Sequence, residues 1–453
     1  MSARLTRRDF VQHSVTGAAG LAAATSVRRA TGAESPANKV VIALIGAGGR
    51  GRGFTRKLAA REDVDIKYVC DAEKPRGEAA ARDFEQIQGF APKYVEDMRR
   101  VFDDKDVHGV VVATPEQWHG LATVWACQAG KDVYVEKCIS RKVEEGRKMV
   151  EAAQKYKRIV QAGTQSRATA YAASARKYIQ DGNLGDVFLV KLFFMQSSVY
   201  GGYPMNKVPD GDPPEGLDWD AWLGPAPERP YNRQVHRGWY GYWDYSGGNN
   251  SDAIHVIDLA RLAIGDPSHP NAVNSFGGRW RYDDDGEMPD CLIVTFEFDK
   301  LAMTLDTTGF SRGYMKKTPP DIRDGDKFPY WPQNSTRIEI YGTKQLMYLG
   351  RHGGGWQAMT ADGQAVASDY GRQGDPEAIE DFVNSIRTRN QPRANIVQGH
   401  LSASLEHLAN IAHRSGNQKL VFDGETEKFV NNDDANKYLK AAARKHYRMP
   451  EEV

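Results

Sequence analysis

Val40-Val41-Ile42-Ala43-Leu44-Ile45-Gly46-Ala47-Gly48-Gly49-Arg50-Gly51 runs an apolar, largely β-branched strand directly into a G-x-G-x-x-G turn. A helix-compatible segment follows. That order places a helix N-terminus where a dinucleotide pyrophosphate can sit. The first glycine permits the tight turn, the second lets backbone approach phosphate, and the third lets helix pack on strand. A second strand over Val64–Cys70 ends in Asp71, at about the distance expected of a ribose-binding carboxylate. The cofactor-binding set therefore starts with Gly46, Ala47, Gly48, Gly49, Arg50, Gly51 and Asp71. Asp71 favours the free ribose hydroxyls of NAD. Lys74 and Arg76 follow closely and keep the extra phosphate of NADP open.

Working outward, residues 39–161 alternate short β-branched runs with helical patterns. Strands are expected at 40–45, 64–70, 107–113, 133–136 and 159–161, and helices at 51–60, 74–88, 117–129 and 142–156. The alternation implies parallel strands with right-handed crossovers, hence an α/β fold with a doubly wound Rossmann sheet. Ligand then lies outside the carboxyl ends of the strands. Three strand ends converge on that crevice: Thr114-Pro115, Glu136-Lys137 and Gln161-Ala-Gly-Thr-Gln165. After a helix at 169–180 the period changes. Strands at 187–195, 272–282, 291–298, 301–307 and 337–341 with short connections predict a large, mostly antiparallel open sheet. One face of it must be covered by helices or by another subunit. A helix over 252–264 and late helices at 375–387 and 399–414 complete the pattern; residues 312–333 and 351–369 read as loops. The expected divisions are 1–33, 34–166 and 167–453, with the late helices able to pack back on the first domain.

Residues 1–33 read as an export signal. Thr6-Arg7-Arg8-Asp9-Phe10-Val11-Gln12 precedes a mildly apolar Ala/Gly-rich stretch and a small-residue site near Thr31-Gly32-Ala33, the pattern of bacterial twin-arginine export. The apolar stretch is too short and weak to span a bilayer. A periplasmic or otherwise exported location is expected, without membrane insertion once the signal is removed. The 60 Lys plus Arg against 59 Asp plus Glu leave a net charge of +1, which gives no argument for nucleic acid or an anionic membrane. Four cysteines without paired spacing argue against both a disulfide framework and a metal site.

Two spacings carry chemistry. Lys137 ends a strand after Glu136. Alone it is a strand-end lysine in solvent, but beside a nicotinamide it can hold a substrate hydroxyl and assist proton transfer. Asp252 and His255 lie three apart at a helix start, so both fall on one face. An imidazole there can take a hydroxyl proton while a carboxylate orients the ring or binds another hydroxyl. Trp239-Tyr240-Gly241-Tyr242-Trp243-Asp244-Tyr245, just before that helix, is dense in aromatics that stack on sugar C–H faces.

Together these residues resemble the Gfo/Idh/MocA oxidoreductase family. The likeness rests on the glycine loop, Ala113-Thr-Pro-x-x-x-His119, Glu136-Lys137, Gln161 to Gln165 followed by Arg167, and Asp252-Ala-Ile-His255-Val-Ile-Asp258-Leu-Ala-Arg261. The resemblance implies a Rossmann domain plus an α/β domain whose open sheet builds dimers or tetramers. It implies catalytic roles for Lys137, His255 and Asp252, and cofactor contacts for Thr114, His119, Glu136 and Lys137. Arg167, Tyr240, Trp243 and Asn250 are the expected substrate contacts. Two departures stand out: Cys138 replaces the proline that usually follows Glu-Lys, and Gly247-Gly248-Asn249-Asn250 replaces a glycine run. The implied activity is hydride transfer between bound NAD(P) and a sugar, polyol or glycoside, with cofactor retained. The alternatives are an NAD-dependent glycoside hydrolase working by transient oxidation and elimination, and a dinucleotide-binding regulator without turnover.

Overall fold

The computed structural model describes residues 39–195, 204–248, 252–309 and 314–453. The expected export signal and Asn250 therefore lie outside the described residues. Six strands form the first sheet: β1 Val40–Ile45, β2 Val64–Cys70, β3 Lys93–Val95, β4 Gly109–Val112, β5 Asp132–Val135 and β6 Val160–Ala162. All pairings are parallel and the order is β3-β2-β1-β4-β5-β6. The reversal of direction between β1 and β4 opens a crevice at their carboxyl ends. β4 and β5 are buried at every position, which is why they read as continuous apolar runs rather than alternations. Helices α1 Gly49–Ala59, α2 Lys74–Gln88, α3 His119–Gln128 and α4 Val143–Lys155 supply the crossovers. On α1, Phe54 stacks on Tyr134 of β5 with ring centroids 4.1 Å apart.

The second sheet has ten strands: β7 Val187–Phe193, β8 Ala272–Gly278, β9 Cys291–Phe298, β10 Leu301–Asp306, β11 Arg337–Gly342, β12 Leu346–Gly350, β13 Trp356–Met359, β14 Ala365–Asp369, β15 Leu420–Asp423 and β16 Lys428–Phe429. Their order is β14-β13-β12-β11-β7-β10-β9-β8-β15-β16, antiparallel throughout except for the β7–β10 pair. The α/β expectation thus holds for both sheets. Strands β13 and β14 correct the loop expected over 351–369: only Arg351 to Gly355 and the turn from Thr360 to Gln364 are irregular. β14 is an exposed edge strand, so its sequence lacks the buried alternation that announces a strand.

Helices α5 Ala170–Gln180, α6 Ile254–Ala263 and α8 Ile396–Arg414 cover one face of this sheet, burying Val190, Leu192, Val294 and Phe296 in the largest core. Helix α7 Asp375–Thr388 packs instead on the first sheet, with Phe382 edge-on to Tyr134. All four cysteines are buried free thiols. Among the described residues no helix is long and apolar enough to cross a membrane.

Candidate active site

Where β1 meets α1, Gly46 has a φ of +92°, and a Cβ there would fall 2.6 Å from the Ala113 carbonyl carbon. A Cβ on Gly51 would meet the Gly46 oxygen at 2.2 Å, so this glycine sets the close packing of helix on strand. Gly48 and Gly49 face open space instead. The first turn of α1 carries no acidic residue, leaving its N-terminal amides to an anion. Gly46, Gly48, Gly49, Arg50, Asp71, Thr114, Glu136 and Lys137 line a single cavity of about 610 Å³. Buried Thr114 Oγ1 has no hydrogen-bond partner among the described residues. These features fit a dinucleotide: the open glycines at the pyrophosphate, Asp71 at a ribose, and Thr114, Glu136 and Lys137 at the nicotinamide end.

Asp71 is held in place by its neighbours. Ala47 N–H donates to one carboxylate oxygen at 2.7 Å and Glu73 N–H to the other at 2.8 Å. Burial nevertheless pushes its acid up, more than Arg76 and these amides pull it down. A strap from the second domain closes over this end. Lys74 N–H donates to Gly216 O at 2.8 Å, Asp218 N–H donates to Ala72 O at 2.9 Å, and Leu217 bridges to Glu73. The strap brings Trp222, His236 and Trp239 to the cavity wall.

At the other end, Lys137 Nζ lies 2.9 Å from Asp252 Oδ1, and His255 Nε2 lies 4.0 Å from the same oxygen. Residues more than a hundred positions apart thus meet around one carboxylate. Burial alone would raise the Asp252 acid, but Lys137, Arg351 and His352 outweigh it and hold the carboxyl below its ordinary range. His255 is 6% exposed. Burial first, then Arg351 and Lys137, hold its pKa well below the histidine range, so the ring is a neutral imidazole able to accept a proton. Glu136 is oriented by Arg50 Nε at 2.7 Å and the Tyr134 hydroxyl at 3.0 Å, and Arg50 also reaches Asp375 at 3.0 and 3.1 Å. The Lys137–Cys138 peptide bond is cis.

Several expected contacts are placed elsewhere. Arg167 does not face the site. It is 3% exposed, with Nε 2.8 Å from both Asp258 oxygens and Nη2 2.7 Å from Asp266. Buried Asp258 and half-buried Asp266 claim its donors, so it belongs to the scaffold under α6. His119 does not line the cavity either. Its Nδ1 lies 2.6 Å from Cys138 O and its Nε2 2.9 Å from Thr114 O, which ties together the two loops that do. Trp243 packs against the Arg414 guanidinium and Tyr240 meets Trp239 edge-on; like Asp252 and His255, neither lines the dinucleotide cavity.

Sequence reasoning missed Trp118, Trp222, His236, Arg351 and Glu406. Trp222 and His236 precede the aromatic-rich stretch, and only the folded chain shows that they reach the cavity. Glu406 on α8 is fully buried, and burial followed by Glu116 pushes its acid well above the carboxylate range. His269, His400 and Glu427 bring possible metal-ligand atoms within 4.8 Å of one another. Glu427 already accepts from His400 at 2.6 Å and from Arg147 at 2.7 and 3.0 Å, and none of the three lines the cavity.

A Rossmann crevice closed by a mixed-sheet domain that supplies an Asp–His pair to a strand-end lysine is the architecture of a dinucleotide-dependent oxidoreductase. The sequence pattern of an oxidoreductase family's NAD-binding Rossmann fold matches residues 40–164, and that of the same family's C-terminal α/β domain matches 175–288 and 343–449. The chain belongs to the Gfo/Idh/MocA family of NAD(P)-dependent oxidoreductases. It is similar to levoglucosan dehydrogenase of Pseudarthrobacter phenanthrenivorans, 29% identical over 209 residues, 46% of this chain and 45% of that protein. It is also similar to a glycosyl hydrolase family 109 protein of Stenotrophomonas maltophilia, 34% identical over 139 residues, 29% of each chain. The chain thus spans less than half the length of these curated relatives. A solved structure of levoglucosan dehydrogenase with NADH and L-sorbose shares the fold at a TM-score of 0.61 and 19% identity, over 86% of this chain and 100% of that one.

Proposed function

We propose that this protein oxidises or reduces a sugar, polyol or glycoside at the Lys137–Asp252–His255 cluster, using NAD held in the adjoining cavity. The observation that carries the reading is the shared Asp252 oxygen, with Lys137 Nζ at 2.9 Å and His255 Nε2 at 4.0 Å. When bound, the nicotinamide would take a hydride from a substrate carbon. Neutral His255 accepts the proton of the hydroxyl on that carbon, and the Lys137 ammonium donates to the hydroxyl oxygen as it becomes a carbonyl. Asp252 fixes the lysine and stabilises the imidazolium that forms. Asp71, with its two oxygens at the ribose end, supports NAD over NADP; Arg76 at the same wall is paired with Glu73.

Cofactor retention belongs to the same reading. The strap over 216–222 is hydrogen-bonded to the loop after β2, which supports slow release of a dinucleotide bound beside it. Retention suits export by the twin-arginine route, since the cell envelope offers no large nicotinamide pool. Each turnover must then restore the redox state, either by reducing a second sugar or by returning the hydride after elimination of a glycosidic group. The likeness to a glycosyl hydrolase family 109 protein supports keeping the second route. The deciding experiment is the absorbance of the purified protein as sugars are added, with product analysis by mass spectrometry. A change in reduced-nicotinamide absorbance with an oxidised product supports the dehydrogenase. A cleaved glycoside without net redox change supports the hydrolase. Retained cofactor with no product would sink both and leave a regulator.

We also propose that the open face of the second sheet joins two copies. Phe276 is 62% and Ile293 is 48% exposed, and the two are register partners on β8 and β9, with Val421 on the same face of β15. Adjacent exposed apolar side chains mark an interface. A Phe276→Arg/Ile293→Glu variant is expected to elute as a monomer in size-exclusion chromatography with light scattering, whereas the parent elutes as a dimer or tetramer. A monomeric parent would refute this.

A further inference from the structure

Among the described residues, a buried arginine near the site has no hydrogen-bond or ion-pair partner for its side chain. Arg351 follows β12 and is 5% exposed. Its guanidinium makes no hydrogen bond to any described residue, and its Nε is fully buried and unpaired. The backbone around it is anchored: Arg351 N–H donates to Thr336 O at 3.3 Å, and the Tyr171 hydroxyl donates to the preceding Gly350 O at 3.0 Å. The guanidinium acts electrostatically on Asp252 and His255 together. Asp252 attracts it at a distance but makes no ion pair with it, and that carboxylate is in contact with Lys137 at 2.9 Å. Arg50 is likewise answered by Glu136 and Asp375. Other buried arginines are satisfied: Arg167 by Asp258 and Asp266, Arg337 by Glu339, Arg141 by Glu145, and Arg261 by Pro267 O, Gln398 and Ser402. A guanidinium with its Nε fully buried and unpaired next to a reaction site is costly unless a ligand completes it.

Resting on the oxidoreductase reading, we propose that Arg351 is a carboxylate-binding residue of the substrate site, and that the substrate is a sugar acid. Its reacting hydroxyl lies at His255, and its carboxylate is taken by Arg351. A planar carboxylate matches the guanidinium fork, and a monoanion balances one bare cation. A phosphomonoester carries a second negative charge that nothing in the cluster meets. His352, next along the chain, hydrogen-bonds through Nδ1 to Thr336 Oγ1 at 2.9 Å and stays neutral through burial, so it does not compete for the anion.

The test uses purified holoenzyme and matched ligands: glucose with glucuronate and glucose 6-phosphate, and galactose with galacturonate. Ligand-induced Tm shifts report binding, and nicotinamide absorbance reports chemistry. At least one sugar acid is expected to bind on the order of 100-fold more tightly than its neutral partner. Arg351→Met should erase that preference and Arg351→Lys should keep part of it, which preserves the test if the methionine variant does not fold. Equal binding of neutral and acidic partners, a preference for the phosphate, or a preference that survives Arg351→Met overturns the proposal. Sugar acids that raise Tm through Arg351 without any absorbance change or product would uphold the carboxylate site and refute the oxidoreductase reading instead.

Discussion

Lys137→Met is expected to lower turnover by about 10³-fold while the protein keeps its fold and its cofactor. The lysine Nζ contacts Asp252 and lines the cavity, and its side chain is only 10% exposed. Methionine preserves most of the volume and removes the charge. Two consequences separate a catalytic from a structural role. First, the Asp252 carboxyl loses the strongest influence opposing burial, so its pKa should rise. Activity remaining in the variant should then titrate on the acid side where the parent does not. Second, His255→Ala should give a loss of similar size, and the double variant should cost little more than either single change, because the two groups act on one proton. The parent's own pH profile follows from the sign of the His255 shift. The base form is the neutral ring, and the folded-state pKa lies well below the usual histidine value, so kcat/KM should hold steady as pH falls through that value. Single-turnover measurement of nicotinamide absorbance from pH 5 to 9, together with the absorbance of cofactor released on denaturation, checks all of this. Loss of bound cofactor or of folding in Lys137→Met would assign the residue to structure.

The parts of this site that the sequence discloses are those whose signal is local. The glycine loop is readable because a tight turn, an open backbone and a close helix–strand contact each require glycine, and Gly46, Gly48 and Gly51 meet those requirements in turn. Asp252 and His255 are readable as a pair because they lie three apart at a helix start. Their meeting with Lys137 comes only through the family resemblance, since no local pattern links residue 137 to residue 252. What stays hidden is whatever long-range pairing decides. Arg167 follows a strand end like a site residue, yet its direction is fixed by Asp258 and Asp266 on a distant segment. Arg351 falls at the head of a stretch that reads as loop, and only the β11–β12 hairpin brings it beside Asp252. The aromatic-rich segment promised sugar stacking from Tyr240 and Trp243. On the dinucleotide cavity stand Trp222 and Trp239 instead, and the strap that carries Trp222 is held in register by two backbone hydrogen bonds to the loop after β2.

The scaffold reading of Arg167 makes the second large prediction. Arg167→Met should destabilise the protein by about 3–5 kcal/mol, the loss typical when one member of a buried ion pair is removed. Asp258 is 1% exposed and would keep only the Ser402 hydroxyl at 2.7 Å. Asp266 would keep Arg176 at 2.5 Å, so the damage should centre on Asp258. Arg261 is buried nearby and already held down to about 10 by burial and by Arg167, so it should regain proton affinity in the variant without replacing the lost bidentate contact. Replacing both partners, as Arg167→Met/Asp258→Leu, removes the uncompensated carboxylate and should recover much of the lost stability. Chemical denaturation of parent, single and double variants measures this directly, and steady-state KM for the sugar on the folded fraction should stay near the parent value in both. A single variant that unfolds like the parent but binds sugar poorly would return Arg167 to the substrate site and leave Asp258 as its orienting partner.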